Sequence, residues 1–281
     1  MILSTTSTLA ITTAIFVVLY CCRGGFYYRT VANLLCLAVA ATYGMAIAVI
    51  LRILGRADLI NWTSTRLYYY LFSIFTGISV KVEGAEHLDN SKKVIVCNHQ
   101  SSLDMAFGSH VFPKATSVVA KKDIKFYPIL GWYLSLSNNI FLDRKNRDGA
   151  VKAAREAAKD IHRKQTSVWI FPEGTRQRSG VVDLLPFKKG AFYMAVQAKV
   201  PIVPVVMEKY DYLYDSKAKR FNPGTVRIKI LPPVPTDDVS EDSEAVEKLS
   251  ASIREDMLKT LKELAAAREQ EEKVAKATGH L

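Results

Sequence analysis

The chain has 281 residues, 49% of them hydrophobic and 23% charged, with a formal net charge of +11. That length and apolar fraction exclude a disordered tail and a secreted miniprotein, and suit one domain of ~200–250 residues plus an anchor. Four cysteines are too few for a disulfide scaffold, and Cys21, Cys22 and Cys36 stand in apolar runs, so no oxidising compartment is implied.

Residues 2–22 and 30–51 contain no charge. At ~1.5 Å per residue each run spans ~31–33 Å as a helix, enough to cross a hydrocarbon core of ~30 Å. A cleaved signal peptide fits the first run poorly. It lacks a basic leader, is too long, and meets Cys21-Cys22-Arg23 where small cleavage-site residues belong. Arg23 and Arg29 bracket a connection with Gly24, Gly25, Tyr27 and Tyr28, which reads as an interfacial hairpin tip; Arg52 and Arg56 mark the exit. Residues 1–56 are therefore expected to form a two-helix transmembrane hairpin. Residues 57–80 mix Trp62, Tyr68, Tyr69, Tyr70, Phe72 and Phe75 with Arg66. Two readings stand for this stretch: a helix packed into the core by its aromatics, or one lying in the headgroup layer.

From residue 81 short apolar runs alternate with helical patterns. Strands are expected at 94–97, 117–120, 167–171, 202–206 and 226–231, with helices at 148–164, capped by Asp148, and at 190–199. This alternation predicts an α/β domain over 81–235, a mostly parallel sheet flanked by helices. Residues 236–281, rich in Glu, Lys, Ala and Leu, read as one or two helices with a solvated charged face. Residues 81–240 hold 26 basic and 16 acidic side chains, so the excess positive charge sits in the α/β domain. Such a field favours anionic partners without choosing among phosphates, headgroups, coenzymes and nucleic acid.

Strand 94–97 runs into Asn98-His99-Gln100-Ser101-Ser102-Leu103-Asp104, where Ser101 or Ser102 can cap a helix that begins near Leu103. A histidine at the strand end and an aspartate in the first helical turn can come within hydrogen-bond reach. The carboxylate then fixes the imidazole tautomer while the other ring nitrogen takes a proton from a hydroxyl. Phe171-Pro172-Glu173-Gly174-Thr175-Arg176 ends another strand, and sheets of this kind gather their sites at the carboxyl ends of strands. Arg176 suits bidentate phosphate binding; Glu173 suits orienting it, accepting a hydroxyl, or a plain Glu–Arg ion pair. Phe141-Leu142-Asp143-Arg144 and Val200-Pro201-Ile202-Val203-Pro204-Val205 complete the pattern. The histidines His87, His99, His110, His162 and His280 are scattered, and no metal site is expected.

These four segments, in this order, resemble the four blocks of the glycerolipid acyltransferases, most closely the 1-acyl-glycerol-3-phosphate acyltransferases of the PlsC type. The linking segments 120–125, 128–132 and 186–192 are similar too, so the resemblance covers residues 80–232. It implies that His99 is the general base, oriented by Asp104, and that an acyl group passes from acyl-CoA to the free hydroxyl of lysophosphatidic acid without an acyl-enzyme. By the same resemblance the acceptor phosphate falls to Arg144, Glu173, Gly174, Thr175 and Arg176, and an arginine at position 176 suits a bare phosphomonoester. Lys121, Lys122, Lys188 and Lys189 are further candidates for that phosphate or those of CoA, or are plain surface lysines; no bound cofactor is implied. The expected partners are acyl-CoA, lysophosphatidic acid and membrane lipids, with no nucleic acid. The expected location is an integral membrane position in the endoplasmic reticulum or a related endomembrane. Glycerol 3-phosphate or another lysophospholipid as acceptor, a Ser101, Ser102 or Cys97 nucleophile, and a non-catalytic lipid-binding protein are the competing readings.

Overall fold

The computed structural model describes residues 13–14, 24–89, 91–137, 139–142, 150–177 and 181–278. Helix α1 (Gly25–Ile53) and helix α2 (Ile60–Thr76) come first. Then follow β1 (Ile78–Glu83), β2 (Val94–Cys97), α3 (Asp104–Val111), β3 (Thr116–Lys121), α4 (Leu130–Leu136) and β4 (Ile140–Leu142). The second half contains α5 (Ala150–Arg163), β5 (Ser167–Ile170), α6 (Gly190–Ala198) and β6 (Ile202–Met207). A small hairpin of β7 (Tyr214–Asp215) and β8 (Arg220–Phe221), then β9 (Gly224–Ile230) and α7 (Ser243–Ala277), complete the chain.

Among the described residues the main sheet runs in the order β1-β9-β6-β2-β5-β3-β4. Its pairings are parallel except β6 with β9. The central strands β2, β5 and β6 are buried at every position, because helices cover both faces. Side chains alternate between those faces. Val94 and Val96 meet Ile161, Phe192 and Met257 of α5, α6 and α7, while Ile95 meets Phe72 and Phe107 of α2 and α3. The domain is the three-layer α/β fold that the strand–helix alternation predicts.

Two local readings change. Within the connection expected at 23–29, residues 25–29 are the start of α1, and Arg29 is 6% exposed. It donates from Nε to Thr76 O at 2.8 Å and from Nη1 to Phe221 O at 2.8 Å, tying α1 to the ends of α2 and β8 rather than marking an interface. The first arm of the hairpin, apart from Thr13 and Ala14, and the Asp148 cap lie outside the described residues, which contain one helix, α1, long and apolar enough to span a membrane. Strand β1 crosses the boundary expected at residue 80, so the segment 57–80 divides into a packing helix and a sheet edge. Of the one or two helices expected over 236–281, the described residues form one, α7. Asp242 caps it by accepting from the Glu244 and Ala245 amides at 3.0 and 2.8 Å, and Val246, Ile253 and Met257 enter the core.

Small residues on one face of α1 (Ala32, Cys36, Ala40, Gly44, Ala48) let it lie close along the domain. A β-carbon at Gly44 would collide with the Tyr133 ring and with Ser64 Oγ. Its other face shows Val31, Leu34, Leu35, Val39, Val49 and Ile53 to the outside.

Candidate active site

Because β2 lies between β5 and β6, the segments leaving these three strands at their carboxyl ends meet. Asn98 extends the β2–β6 contact: its Nδ2 donates to Met207 O at 2.9 Å and its Oδ1 accepts from Met207 N at 2.8 Å. Gln100 Nε2 donates to Glu208 O at 2.9 Å. From the β5 side, Glu173 Oε1 accepts the His99 amide at 2.7 Å, and the Gln177 amide donates to His99 O at 2.7 Å. The turn that carries His99 is thus held from both neighbouring strands.

His99 Nδ1 lies 2.6 Å from Asp104 Oδ2, and the imidazole stacks on the Phe171 ring at 4.2 Å between centroids. With an ionised carboxylate as partner, Nδ1 carries the proton and Nε2 keeps its lone pair; this tautomer is assigned from the partner. Asp104 is 0% exposed. Its Oδ2 also accepts the Gln100 and Ser101 amides at 2.7 and 2.9 Å, and its Oδ1 accepts the Tyr210 hydroxyl. Four donors replace the water a buried carboxylate gives up. Ser101 and Ser102 are not helix caps: α3 starts at Asp104 with Leu103 in the cap position, and Ser101 Oγ accepts the Leu103 amide at 2.9 Å in a local turn.

Tyr210 was not among the residues singled out from sequence. It follows β6 by three positions, is 2% exposed, and also contacts Ser101 Oγ at 2.8 Å. The phenol has a single proton, which goes to Asp104, so in the Ser101 contact the Tyr210 oxygen accepts the proton of the Ser101 hydroxyl. Burial and the neighbouring Asp104 push the Tyr210 phenol well up, so it stays a donor. A signal for it existed in the rule that sites form at carboxyl ends of strands.

Glu173 does not pair with Arg176. It is 3% exposed, and its second oxygen accepts the Leu185 amide at 3.0 Å. Burial pushes its carboxyl up, and the His99 and Leu185 amides pull it back. Both its oxygens are committed to backbone amides, which makes it a strut between loops, whereas the resemblance put it on the acceptor phosphate. Gly174 takes a φ of +69°, and a β-carbon there would meet Lys188 Nζ at 2.8 Å, so the glycine lets the lysine lie across the turn. Thr175 and Arg176 are exposed on that turn, and Arg176 has no acidic partner among the described residues. Lys121 pairs with Asp123, and Lys189 is taken up by Glu247 of α7 at 2.7 Å. Arg144 lies outside the described residues.

A mostly apolar cavity of about 440 Å³ opens beside His99. Leu37, Ala40 and Ala41 of α1 line it, together with Phe171, Lys121 and Arg176. A polar cleft of about 260 Å³ shares Ser101, Ser102 and Arg176 with it and adds Lys209 and Lys217. Cys97 is fully buried, and its thiol is pushed well up by burial and by Asp104 and Glu173, which suppresses the thiolate a nucleophile needs. The arrangement suits one chemistry above others: removal of a proton from a hydroxyl whose apolar substituent lies in the cavity and whose anionic group meets Arg176.

A family model described as Acyltransferase matches residues 79–208. The 1-acyl-sn-glycerol-3-phosphate acyltransferase of Saccharomyces cerevisiae is 36% identical over 239 residues, 85% of this chain and 78% of that protein. The human 1-acyl-sn-glycerol-3-phosphate acyltransferase alpha is 39% identical over 205 residues, 73% of this chain and 71% of that protein. Among solved structures, the 1-acyl-sn-glycerophosphate acyltransferase PlsC of Thermotoga maritima superposes with a TM-score of 0.58 at 27% identity, covering 83% of this chain and 98% of that one. With strand ends, cavity and relatives in agreement over most of its length, the chain belongs to the acyltransferase family of the 1-acyl-sn-glycerol-3-phosphate acyltransferases.

Proposed function

We propose that the protein acylates the free sn-2 hydroxyl of 1-acyl-glycerol 3-phosphate from acyl-CoA, giving phosphatidic acid and CoA. The observation that carries this reading is the His99–Asp104 pair beside an apolar cavity that Arg176, exposed and with no acidic partner among the described residues, also lines. His99 Nε2 takes the proton of the acceptor hydroxyl while Asp104 balances the imidazolium. The hydroxyl oxygen forms its bond to the thioester carbonyl carbon, the carbon–sulfur bond breaks, and the leaving thiolate recovers the proton from His99. Arg176 grips the acceptor phosphate through paired charge-assisted hydrogen bonds, and Arg144, Thr175 and Lys188 remain candidates beside it. The cavity suits an acyl chain of either substrate, and the preference for 1-acyl-glycerol 3-phosphate over glycerol 3-phosphate rests on the named relatives.

An acyl-enzyme through Ser101 is disfavoured, because its Oγ is engaged by the Leu103 amide and Tyr210. We place the protein in a membrane, with α1 as its anchor and the endoplasmic reticulum as its site. The test uses isotope-labelled lysophosphatidic acid and oleoyl-CoA with purified protein, read by mass spectrometry. Labelled phosphatidic acid in equal amount to released CoA is expected. Release of CoA without acceptor, or a stable acylated protein, would overturn the direct transfer.

A further inference from the structure

The turn Lys122–Phe126 and helix α4 form one side wall of the cavity, to which they contribute Ile124, Leu130, Tyr133 and Leu134. The same segment turns Phe126 (78% exposed), Tyr127 (57%) and Trp132 (56%) to the outside. These aromatics are not on a loose loop. Tyr133 Oη donates to Asn61 Oδ1 at 2.9 Å, Arg52 of α1 donates to Leu136 O at 2.7 Å, and Gly131 packs on the Ile124 and Lys125 carbonyls. Val49, Ile50 and Ile53 at the end of α1, the helix whose Arg52 reaches Leu136, are exposed too, and so are Lys122 and Lys125, with Asp123 between them. Rigid aromatics bordered by lysines match the headgroup layer of an anionic leaflet, where amphipathic rings settle and lysines meet phosphates.

We propose that residues 122–136 are a membrane foot. Phe126, Tyr127 and Trp132 sit in the headgroup layer of an anionic bilayer with Lys122 and Lys125 on its phosphates. The lipid acceptor passes from that leaflet into the cavity along the wall formed by Ile124, Leu130 and Leu134. The docking stands on the exposed patch alone; the passage of acceptor rests on the acylation reading above. The foot also orients the domain, placing the His99 mouth at the level of the headgroups of the leaflet it touches.

The test reconstitutes the full chain in phosphatidylcholine vesicles containing phosphatidic acid, with and without lipids brominated near the headgroup. The emission lost on Trp132→Phe isolates Trp132 from Trp62 and Trp169. That share is expected to be blue-shifted and quenched by bromine; a water-like emission untouched by bromine overturns the foot. In a second arm, Lys125→Glu and, separately, Phe126→Glu are assayed on long-chain lysophosphatidic acid in vesicles and on a short-chain, monomeric analogue. A rise of about tenfold in KM on vesicles, with kcat/KM on the monomeric substrate unchanged, is expected. Equal losses on both substrates overturn the passage of acceptor from the leaflet. No turnover by the unsubstituted protein on either substrate overturns the acylation reading, and the fluorescence still decides the foot because it needs no turnover.

Discussion

Tyr210→Phe removes one oxygen and leaves the ring in its packing against Phe107, where the centroids are 4.9 Å apart. The buried Asp104 carboxylate then keeps three donors of four: His99 and the Gln100 and Ser101 amides. A hydrogen bond to a charged group is worth ~1.5–3 kcal/mol, and each ~1.36 kcal/mol is tenfold in rate. If the loss falls on the transition state, kcat drops about tenfold to a hundredfold, while acceptor and donor KM hold. Burial beside Asp104 pushes the Tyr210 phenol well above the ordinary range, so it is a neutral donor throughout the assay. The assay is saturation kinetics of CoA release for both proteins, with thermal melts alongside. A lowered melting temperature with full kcat would refute the reasoning, leaving Tyr210 a packing residue.

Arg176→Lys keeps the charge but loses the planar fork, so the acceptor KM is expected to rise at least about tenfold with the donor KM unchanged; saturation kinetics in each substrate check this. Glu173→Gln turns an NH2 group toward one of the two amides, His99 or Leu185, that the carboxylate now accepts. A loss of ~1–3 kcal/mol in denaturant unfolding is expected, with lower kcat because the His99 turn loosens. Lys93 is 1% exposed and rests on Asp89, whose carboxyl is held down at about 2 chiefly by its hydrogen bond from that ammonium. Lys93→Met should therefore cost less stability than Asp89→Ala, which strands a buried charge; paired melts decide the order. A lowered carboxyl stabilises the fold fully above the ordinary carboxylate range, and the contribution fades as pH falls through about 2.

The strands at 94–97 and 167–170 were legible because continuous apolar runs stop abruptly at polar segments, and that also located His99 and the 172–176 turn. The approach of His99 to Asp104 followed from placing one at a strand end and the other in the next helical turn. Strand β1 was hidden because its burial alternates and it directly follows an aromatic helix, so no break in hydropathy marks the change. Arg29 was misread for a different reason. A charge next to an apolar run looks like an interfacial anchor, whereas its partners, the Thr76 and Phe221 carbonyls, lie 47 and 192 residues away. Tyr210 and Asp104 are 106 residues apart, and only the order of β2 and β6 in the sheet brings them together. Glu173 and Arg176 sit at ion-pair spacing, but burial selects two backbone amides for the carboxylate and leaves the guanidinium outside.

The most direct test of the account is the rate of CoA release from oleoyl-CoA with lysophosphatidic acid, compared between the unsubstituted protein and a folded His99→Ala variant. A base that touches the reacting hydroxyl predicts a loss of ~10²–10⁴ in kcat or more, with acceptor binding retained. Turnover within a few-fold of the unsubstituted protein would contradict it and remove His99 from the chemistry.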